Sequence, residues 1–205
     1  MFQSLKVNIE PKNDGDITKY YNTLSKRSRY FNSNKSVIFI NGMKVSPQAH
    51  MENALALSEL QMCNVIGVYN ASEWNEKDSL VNRMKGIGLD LWQCLLDKTT
   101  FHGPDASPLA KPFVQLFRDF FLQGKVNENT VRTLFIYNKV NEHLFDLLRS
   151  QEHRYTTIFA HSQGNLILSN VLTGILLADG RPALLGREIN SFGSPVVNWP
   201  PPIKP

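Results

Sequence analysis

Residues 155–170 hold a serine in a setting that suits nucleophilic chemistry. An apolar run rich in β-branched residues passes without a gap into a run with apolar residues at helical spacing. Ser162 stands at the junction, with the small residues Ala160 and Gly164 two positions before and after it. A strand that turns sharply into a helix needs small residues there, because the two elements pass close together. The pattern therefore predicts a strand, a turn and a helix, with Ser162 in a strained conformation at the tip.

A serine hydroxyl is a weak nucleophile until a base takes its proton and hydrogen-bond donors stabilise the charge that develops on the substrate oxygen. The predicted turn supplies one such donor, the backbone N–H of Gln163, directly after Ser162. We expect the positive end of the helix that begins there to stabilise the same negative charge on the substrate oxygen. This arrangement favours nucleophilic catalysis by Ser162.

The sequence of residues 160–165, Ala-His-Ser-Gln-Gly-Asn, resembles the nucleophile elbow of the α/β-hydrolase superfamily, in particular its lipase- and esterase-like members. Ala160 stands where the G-x-S-x-G pattern has its first glycine, as in some members of the superfamily. Residues 189–198 resemble the strand and turn that follow the elbow helix in lipase-like hydrolases. The resemblance covers about the N-terminal two thirds of a hydrolase domain. It implies Ser162 as the nucleophile and a small-molecule or lipid-like ester as the substrate.

In this superfamily the second oxyanion donor lies on the loop after an earlier strand, often marked His-Gly-x. Asn41-Gly42-Met43 follows a buried apolar run here, with asparagine in place of the histidine. The resemblance assigns the second N–H to Met43, with Gly42 as the neighbouring alternative. Without the elbow, Asn-Gly would be read as an ordinary tight turn.

The catalytic acid and base are not apparent in the sequence. The superfamily has the chain order serine, then acid, then histidine, but only Asp179 and Glu188 follow Ser162 as acids, and no histidine follows it. His161 is a poor base because neighbouring side chains on a tight turn diverge, and we expect it to pack or to give polar support at the elbow. The chain is therefore either a fragment of a longer protein or a complete chain without a normal triad.

The other four histidines are predicted on helix faces, surfaces or loops. His102 is the strongest of them as a base, because Asp105 lies in the same loop. His50 and His143 come next, and His153 carries no further signal.

Apolar runs predict four buried strands joined by helices, preceded by a short edge strand over residues 2–10. The buried strands are expected at 36–40, at 64–69, in the elbow and at 187–192. Helices are expected at 47–62, 80–96, 108–123 and 128–149, and from the elbow to about residue 178. This alternation predicts an α/β fold, a mostly parallel sheet with helices on both faces.

The resemblance adds a strand order and a boundary to this fold. It implies that the strand at 63–69 lies outside that at 36–40, which neighbours the elbow strand, which neighbours that at 187–192. The chain is expected to form a single, incomplete α/β-hydrolase-like domain over 1–205 that lacks the last strands. The helical section at 76–151 could form a cap over the serine.

Composition sets the broad class of the protein. The chain has 205 residues, 42% hydrophobic and 20% charged, which is ordinary for a soluble globular protein. Two cysteines, Cys63 and Cys94, suggest buried thiols in a cytoplasmic protein. We expect no integral membrane segment, no metal and no cofactor. The basic cluster at 26–29 is typical of a solvated face, so no nucleic-acid partner is expected.

Two functions of different classes follow from the sequence. The first is a serine ester hydrolase. The second is a catalytically silent hydrolase-fold module used for binding or assembly, which the missing histidine favours. Such a module would expose the sheet edge at 187–192, which is prone to pair with another chain.

Overall fold

The computed structural model describes residues 5–71, 127–135, 139–196 and 199–204, and these contain six strands and four α-helices. In chain order they are β1 (Lys6–Val7), β2 (Ile17–Tyr20), β3 (Asn32–Ile40), α1 (Pro47–Gln61), β4 (Cys63–Val68), α2 (Glu128–Phe135), α3 (Lys139–Arg149), β5 (Ile158–His161), α4 (Gln163–Asp179) and β6 (Ile189–Phe192). Short 3₁₀ turns occur at Ser25–Arg27 and Arg181–Ala183.

The six strands form one sheet in the order β1-β2-β4-β3-β5-β6. All neighbouring pairs are parallel except β2 and β4, which are antiparallel. The order of the four buried strands is the one expected from the resemblance. Parallel strands end at the same edge of a sheet, so β3, β4, β5 and β6 bring the residues that follow them to one edge.

Helices cover both faces of this sheet because successive residues of a buried strand point to opposite sides. Val37 of β3 and Val65 of β4 pack with Ala54 of α1 on one face. Their neighbours Ile38 and Ile66 belong to the larger core on the other face, built with α2, α3 and α4. The predicted α/β class with helices on both faces is confirmed.

The first helix begins and ends as its sequence predicts. Ser46 caps it by accepting a hydrogen bond from the backbone N–H of Ala49 at 3.1 Å, and Pro47 occupies the first turn. Met62 ends the helix in the left-handed conformation, with φ 49° and ψ 42°. The next residue, Cys63, already belongs to β4.

The structure changes several predicted boundaries. Residues 2–4 of the predicted edge strand lie outside the described residues. Within residues 5–10 the strand comprises Lys6–Val7, and Asn8 has a positive φ of 48° that ends it. The sequence did not predict β2, whose four residues pair antiparallel with β4. Strand β3 begins four residues earlier than expected, through a register shift between Asn32 and Ser36.

The helix predicted over 128–149 corresponds to α2 and α3, and residues 136–138 between them lie outside the described residues. Both helices pack on the sheet core, with Val131 and Phe135 of α2 and Leu144 of α3 fully or almost fully buried. The helices predicted at 80–96 and 108–123, the loop with His102, and Cys94 lie outside the described residues, as does most of the predicted cap. None of the described helices has the length and apolar character required to cross a bilayer.

Candidate functional site

Ser162 occupies the turn between β5 and α4. Its backbone has φ 51° and ψ −121°, and Gln163 is the first residue of the helix. A positive φ is unfavourable for a residue with a side chain and persists only where the surrounding structure enforces it. The predicted strand, strained turn and helix are therefore present at this serine.

Asn165, in the first turn of α4, holds the strained turn in place. Its side-chain amide donates to the carbonyl oxygens of Ser162 and of Phe192, each at 3.1 Å. Its oxygen accepts a hydrogen bond from the Ser191 hydroxyl at 2.7 Å, and the backbone N–H of Ser162 donates to the Phe192 carbonyl at 2.8 Å. The fully buried Asn165 thus fastens the serine turn to the end of β6.

Two glycines allow the chain segments around Ser162 to approach one another. A Cβ on Gly42 would lie 2.9 Å from Ser162 Cβ, closer than real Cβ contacts, and 3.0 Å from His161 Nδ1, which is tighter than most of them. A Cβ on Gly164 would lie 2.7 Å from the carbonyl oxygen of Ile40. The loop after β3 therefore packs directly against the serine turn, and only glycine fits at these two positions.

A buried polar network connects this loop to α4. Asn41 Oδ1 accepts from the backbone N–H of Asn70 at 2.9 Å and lies 2.8 Å from His50 Nδ1. Asn41 Nδ2 donates to the carbonyl oxygens of Gly42 and Asn70, each at 2.8 Å. The Asn70 side chain in turn donates to Gln163 Oε1 at 2.8 Å. Asn41 is only 1% exposed and uses all four of its hydrogen-bonding positions.

His50 is a neutral member of this network. Its side chain is fully buried among Tyr20, Phe39 and Tyr69, with ring centroids 5.3–5.7 Å away. Burial lowers the pKa of His50 from 6.5 to about 3. Because Asn41 Oδ1 can only accept, Nδ1 carries the proton of the neutral ring. Burial and the bond to Asn41 make His50 a support of the loop after β3.

The remaining described histidines have other partners or positions. His143 on α3 pairs through Nδ1 with the carbonyl oxygen of Gly15 at 2.8 Å. His153 is buried, which lowers its pKa. His161 is exposed beside Gly42. None of these three, nor His50, forms a hydrogen bond with the Ser162 hydroxyl.

The two acids that follow Ser162 in the chain are engaged away from it. Asp179 accepts two hydrogen bonds from Arg149, at 2.7 and 2.9 Å. Glu188 accepts from the Thr157 hydroxyl at 2.9 Å. Among the described residues, the Ser162 hydroxyl has no hydrogen-bond partner, and no group of three potential metal ligands occurs.

A third carboxylate, Asp14, lies near the edge of the sheet at which β4 ends. Its two oxygens accept hydrogen bonds from the backbone N–H groups of Ala71, at 2.9 Å, and Val140, at 3.3 Å. Burial raises its pKa above the ordinary value of 3.8. Asp14 thereby joins the end of β4 to the start of α3.

The sequence does not mark Asn70 as part of the site, and it offers His50 only as a candidate base, not as a support of the loop after β3. Asn70 is the second residue after β4, so its position at the carboxyl end of a buried strand was the available signal. His50 lies in the first turn of α1 and resembles any histidine on a helix face. In the sequence, Asn41 is marked only by its place in the loop after β3, where the superfamily often has a histidine, and nothing local indicates its hydrogen-bond network.

Comparison of the chain with protein-family models, with curated proteins and with solved structures finds no match to any of them.

Proposed function

We propose that this protein is a serine ester hydrolase of the lipase or esterase type, which acts through an acyl-enzyme on Ser162. The observation that carries the proposal is the positive φ of Ser162 between β5 and α4. A serine that merely caps a helix has an extended backbone and hydrogen-bonds the first turn with its side chain. Ser162 has neither property, since its side chain makes no cap hydrogen bond.

In the proposed reaction, Ser162 Oγ forms a bond to the ester carbonyl carbon. The hydroxyl loses its proton as this bond forms, and the π electrons of the carbonyl group move to its oxygen, which becomes negatively charged. When that oxygen forms the carbonyl again, the bond to the leaving alcohol breaks, and the alcohol takes up a proton equivalent to the one that the serine lost. Water subsequently attacks the acyl-serine, which releases the acid and restores the hydroxyl.

The backbone N–H groups of Gln163 and Met43 are the proposed oxyanion donors. Gln163 begins α4, so its N–H has no carbonyl partner within the helix and lies at the positive end of the helix dipole. The absence of a side chain at Gly42 supports the role of Met43, since it allows their loop to contact Ser162. The groups that would serve as acid and base are not assigned.

The proposed substrate is a small-molecule or lipid-like ester with an apolar acyl group. Phe192 and Met43 are exposed, the first at the end of β6, where its carbonyl accepts from the Ser162 N–H, and the second directly after Gly42, which contacts Ser162. The Phe192 ring stacks on that of Phe159, with centroids 6.3 Å apart and planes at 11°. Apolar side chains beside a nucleophile suit an acyl chain.

A fluorophosphonate probe tests the proposal. We expect it to label the wild-type protein and the Ser194→Ala control, which removes an exposed serine beyond β6, but not Ser162→Ala. Turnover of an activated aryl acetate should be slow, because no described histidine forms a hydrogen bond with the Ser162 hydroxyl. Oxyanion donors and substrate binding alone give on the order of 10³-fold acceleration over water. Labelling that Ser162→Ala leaves intact would contradict the assignment.

The second candidate is a catalytically silent module used for assembly. It is favoured by the unpartnered hydroxyl of Ser162 among the described residues and by the position of β6 at the end of the sheet. In that case the probe would label none of the three proteins, and the chain would self-associate by pairing of β6. Sedimentation velocity of the wild type over a range of protein concentrations measures this self-association.

A further inference from the structure

The charge of this protein is concentrated in one part of the chain. Residues 17–51 contain no aspartate or glutamate but six basic residues, whereas the whole chain has a net charge of +4. The remainder of the chain is therefore slightly acidic. The six residues are Lys19, Lys26, Arg27, Arg29, Lys35 and Lys44.

Three of these charges lie on the connection between β2 and β3. Lys26, Arg27 and Arg29 are exposed, and the 3₁₀ turn at Ser25–Arg27 holds the first two. Lys35 is also exposed, in the part of β3 where the register shifts. Among the described residues, no carboxylate forms an ion pair with any of these four side chains.

The most exposed large apolar side chains of the described residues occur in the same region. Leu60, Leu24 and Tyr30 are 78%, 77% and 68% exposed. Covering leucine side chains that have so much of their surface in water with an apolar phase lowers the free energy of the system. Their position beside basic side chains that form no ion pair with a described carboxylate distinguishes them from scattered surface residues.

Hydrogen bonds between the β2–β3 connection and the end of α1 bring these side chains into one region. Asn22 donates from its backbone to Ser58 Oγ at 3.0 Å and from its side chain to Glu59 Oε2 at 3.2 Å. The backbone N–H of Asn32 donates to the carbonyl of Met62 at 2.8 Å. Leu24 lies two residues after Asn22, and Tyr30 lies two residues before Asn32. Leu60 lies between the acceptors Glu59 and Met62 at the end of α1.

Two of the basic side chains rest on aromatic rings. The Arg29 guanidinium lies 4.8 Å from the Tyr30 ring centroid and donates to the Tyr30 hydroxyl at 2.6 Å. Lys26 Nζ lies 3.7 Å from the centroid of the Tyr21 ring. Each pair therefore presents a cation beside an amphipathic ring, which suits the boundary between water and lipid headgroups.

We propose that Leu24, Lys26, Arg27, Arg29, Tyr30 and Leu60 form a basic–apolar patch that binds the surface of an anionic phospholipid bilayer. The basic side chains pair with lipid phosphates and carboxylates, and the two leucines enter the boundary of the acyl chains. The leucines favour lipid over nucleic acid, because a phosphate backbone offers no apolar phase to cover them.

The patch lies at the end of the sheet opposite to Ser162. It adjoins the start of β3 and of β4, whereas Ser162 follows the carboxyl end of the parallel strand β5. Binding through the patch therefore leaves the edge with Ser162 directed away from the bilayer. The proposal does not depend on the hydrolase function.

Co-sedimentation of the full chain with vesicles tests the proposal. We expect binding to phosphatidylcholine vesicles that contain about one third phosphatidylserine, weaker binding as salt is raised, and little binding to phosphatidylcholine alone. Each basic residue removed should weaken binding about fivefold, so Lys26→Gln/Arg27→Gln/Arg29→Gln should lose about 100-fold. Leu24→Ser/Leu60→Ser should lose at least about tenfold.

The matched control is Lys6→Gln/Lys12→Gln/Lys204→Gln, which removes the same charge from exposed positions elsewhere. It should keep nearly wild-type binding, and circular dichroism should show that all variants are folded. Equal losses in the patch and control variants would overturn the proposal, since net charge alone would then explain binding. Binding to duplex DNA with none to the anionic vesicles would overturn it as well.

Discussion

Gly42 lies directly against Ser162, so closely that a Cβ on Gly42 would be 2.9 Å from the Cβ of the serine. The same Cβ would lie 3.2 Å from the carbonyl oxygen of His161, a backbone atom that cannot rotate away. The contact joins the loop after β3 to the strained turn after β5. A side chain at position 42 must therefore move one of the two segments.

Gly42→Ala tests this contact. We expect unfolding to become easier by about 1–3 kcal/mol, because an extra methyl group in a close-packed region forces the backbone apart. Fluorophosphonate labelling of Ser162 should slow more than tenfold, since Met43 moves with the loop. Chemical denaturation and labelling rates measure the two effects, and a variant with both unchanged would show that the contact is unimportant.

Asn41→Ala should cost about 3 kcal/mol of stability. The variant leaves the Asn70 N–H and His50 Nδ1 without their shared acceptor, and each buried unsatisfied group costs about 1–3 kcal/mol. Asn34→Ala is the matched control, because Asn34 is exposed and its change should stay within about 0.5 kcal/mol. Urea denaturation of both variants gives the comparison, and similar values for the two would refute a structural role for the network.

Stability should fall as the pH drops below 6.5, because His50 is neutral in the folded protein. Its folded pKa is lowered to about 3 from the ordinary 6.5, so between these values the unfolded chain binds a proton that the folded chain does not. The stability from this group is present above pH 6.5 and is lost towards pH 3, by up to about 1.4 kcal/mol per pH unit. Tyr20 and Tyr69, which face the ring, stay neutral throughout because burial raises their pKa values to about 12.

His50→Asn isolates this effect, because the asparagine amide retains a donor near the position of Nδ1 but does not titrate. The free energy of unfolding, measured by denaturant titration from pH 7 to pH 4, should vary less steeply with pH in this variant. His153→Asn is the comparison, since burial also lowers the pKa of His153. An unchanged pH slope in His50→Asn would mean that His50 does not cause the loss.

Ser162→Gly should be more stable than Ser162→Ala by about 1 kcal/mol. Relief of the positive φ is worth about 1–2 kcal/mol, and the greater freedom of glycine in the unfolded chain offsets about 0.5–1 kcal/mol of it. Both variants lose the hydroxyl, so their difference isolates the backbone strain. Thermal unfolding measures it, and a less stable glycine variant would contradict the strain seen at Ser162.

The sequence alone determined the elements that present Ser162. The small residues Ala160 and Gly164 predicted a sharp turn, because strand and helix can pass closely only there, and the turn is present. Ser46-Pro47 predicted the start of α1 through local capping chemistry, and continuous apolar runs predicted the buried parts of β3 and β4. These predictions succeeded because each depends on residues a few positions apart.

Only the tertiary structure decided what surrounds the turn. The pairing of β2 with β4, the register shift in β3 and the meeting of Asn41, Asn70 and Gln163 all join residues that are distant in sequence. His50 has no local feature that marks it as buried, because its surroundings come from three different strands or strand ends. Hydrogen bonds of this kind depend on which strands lie side by side, and neither periodicity nor composition records that order.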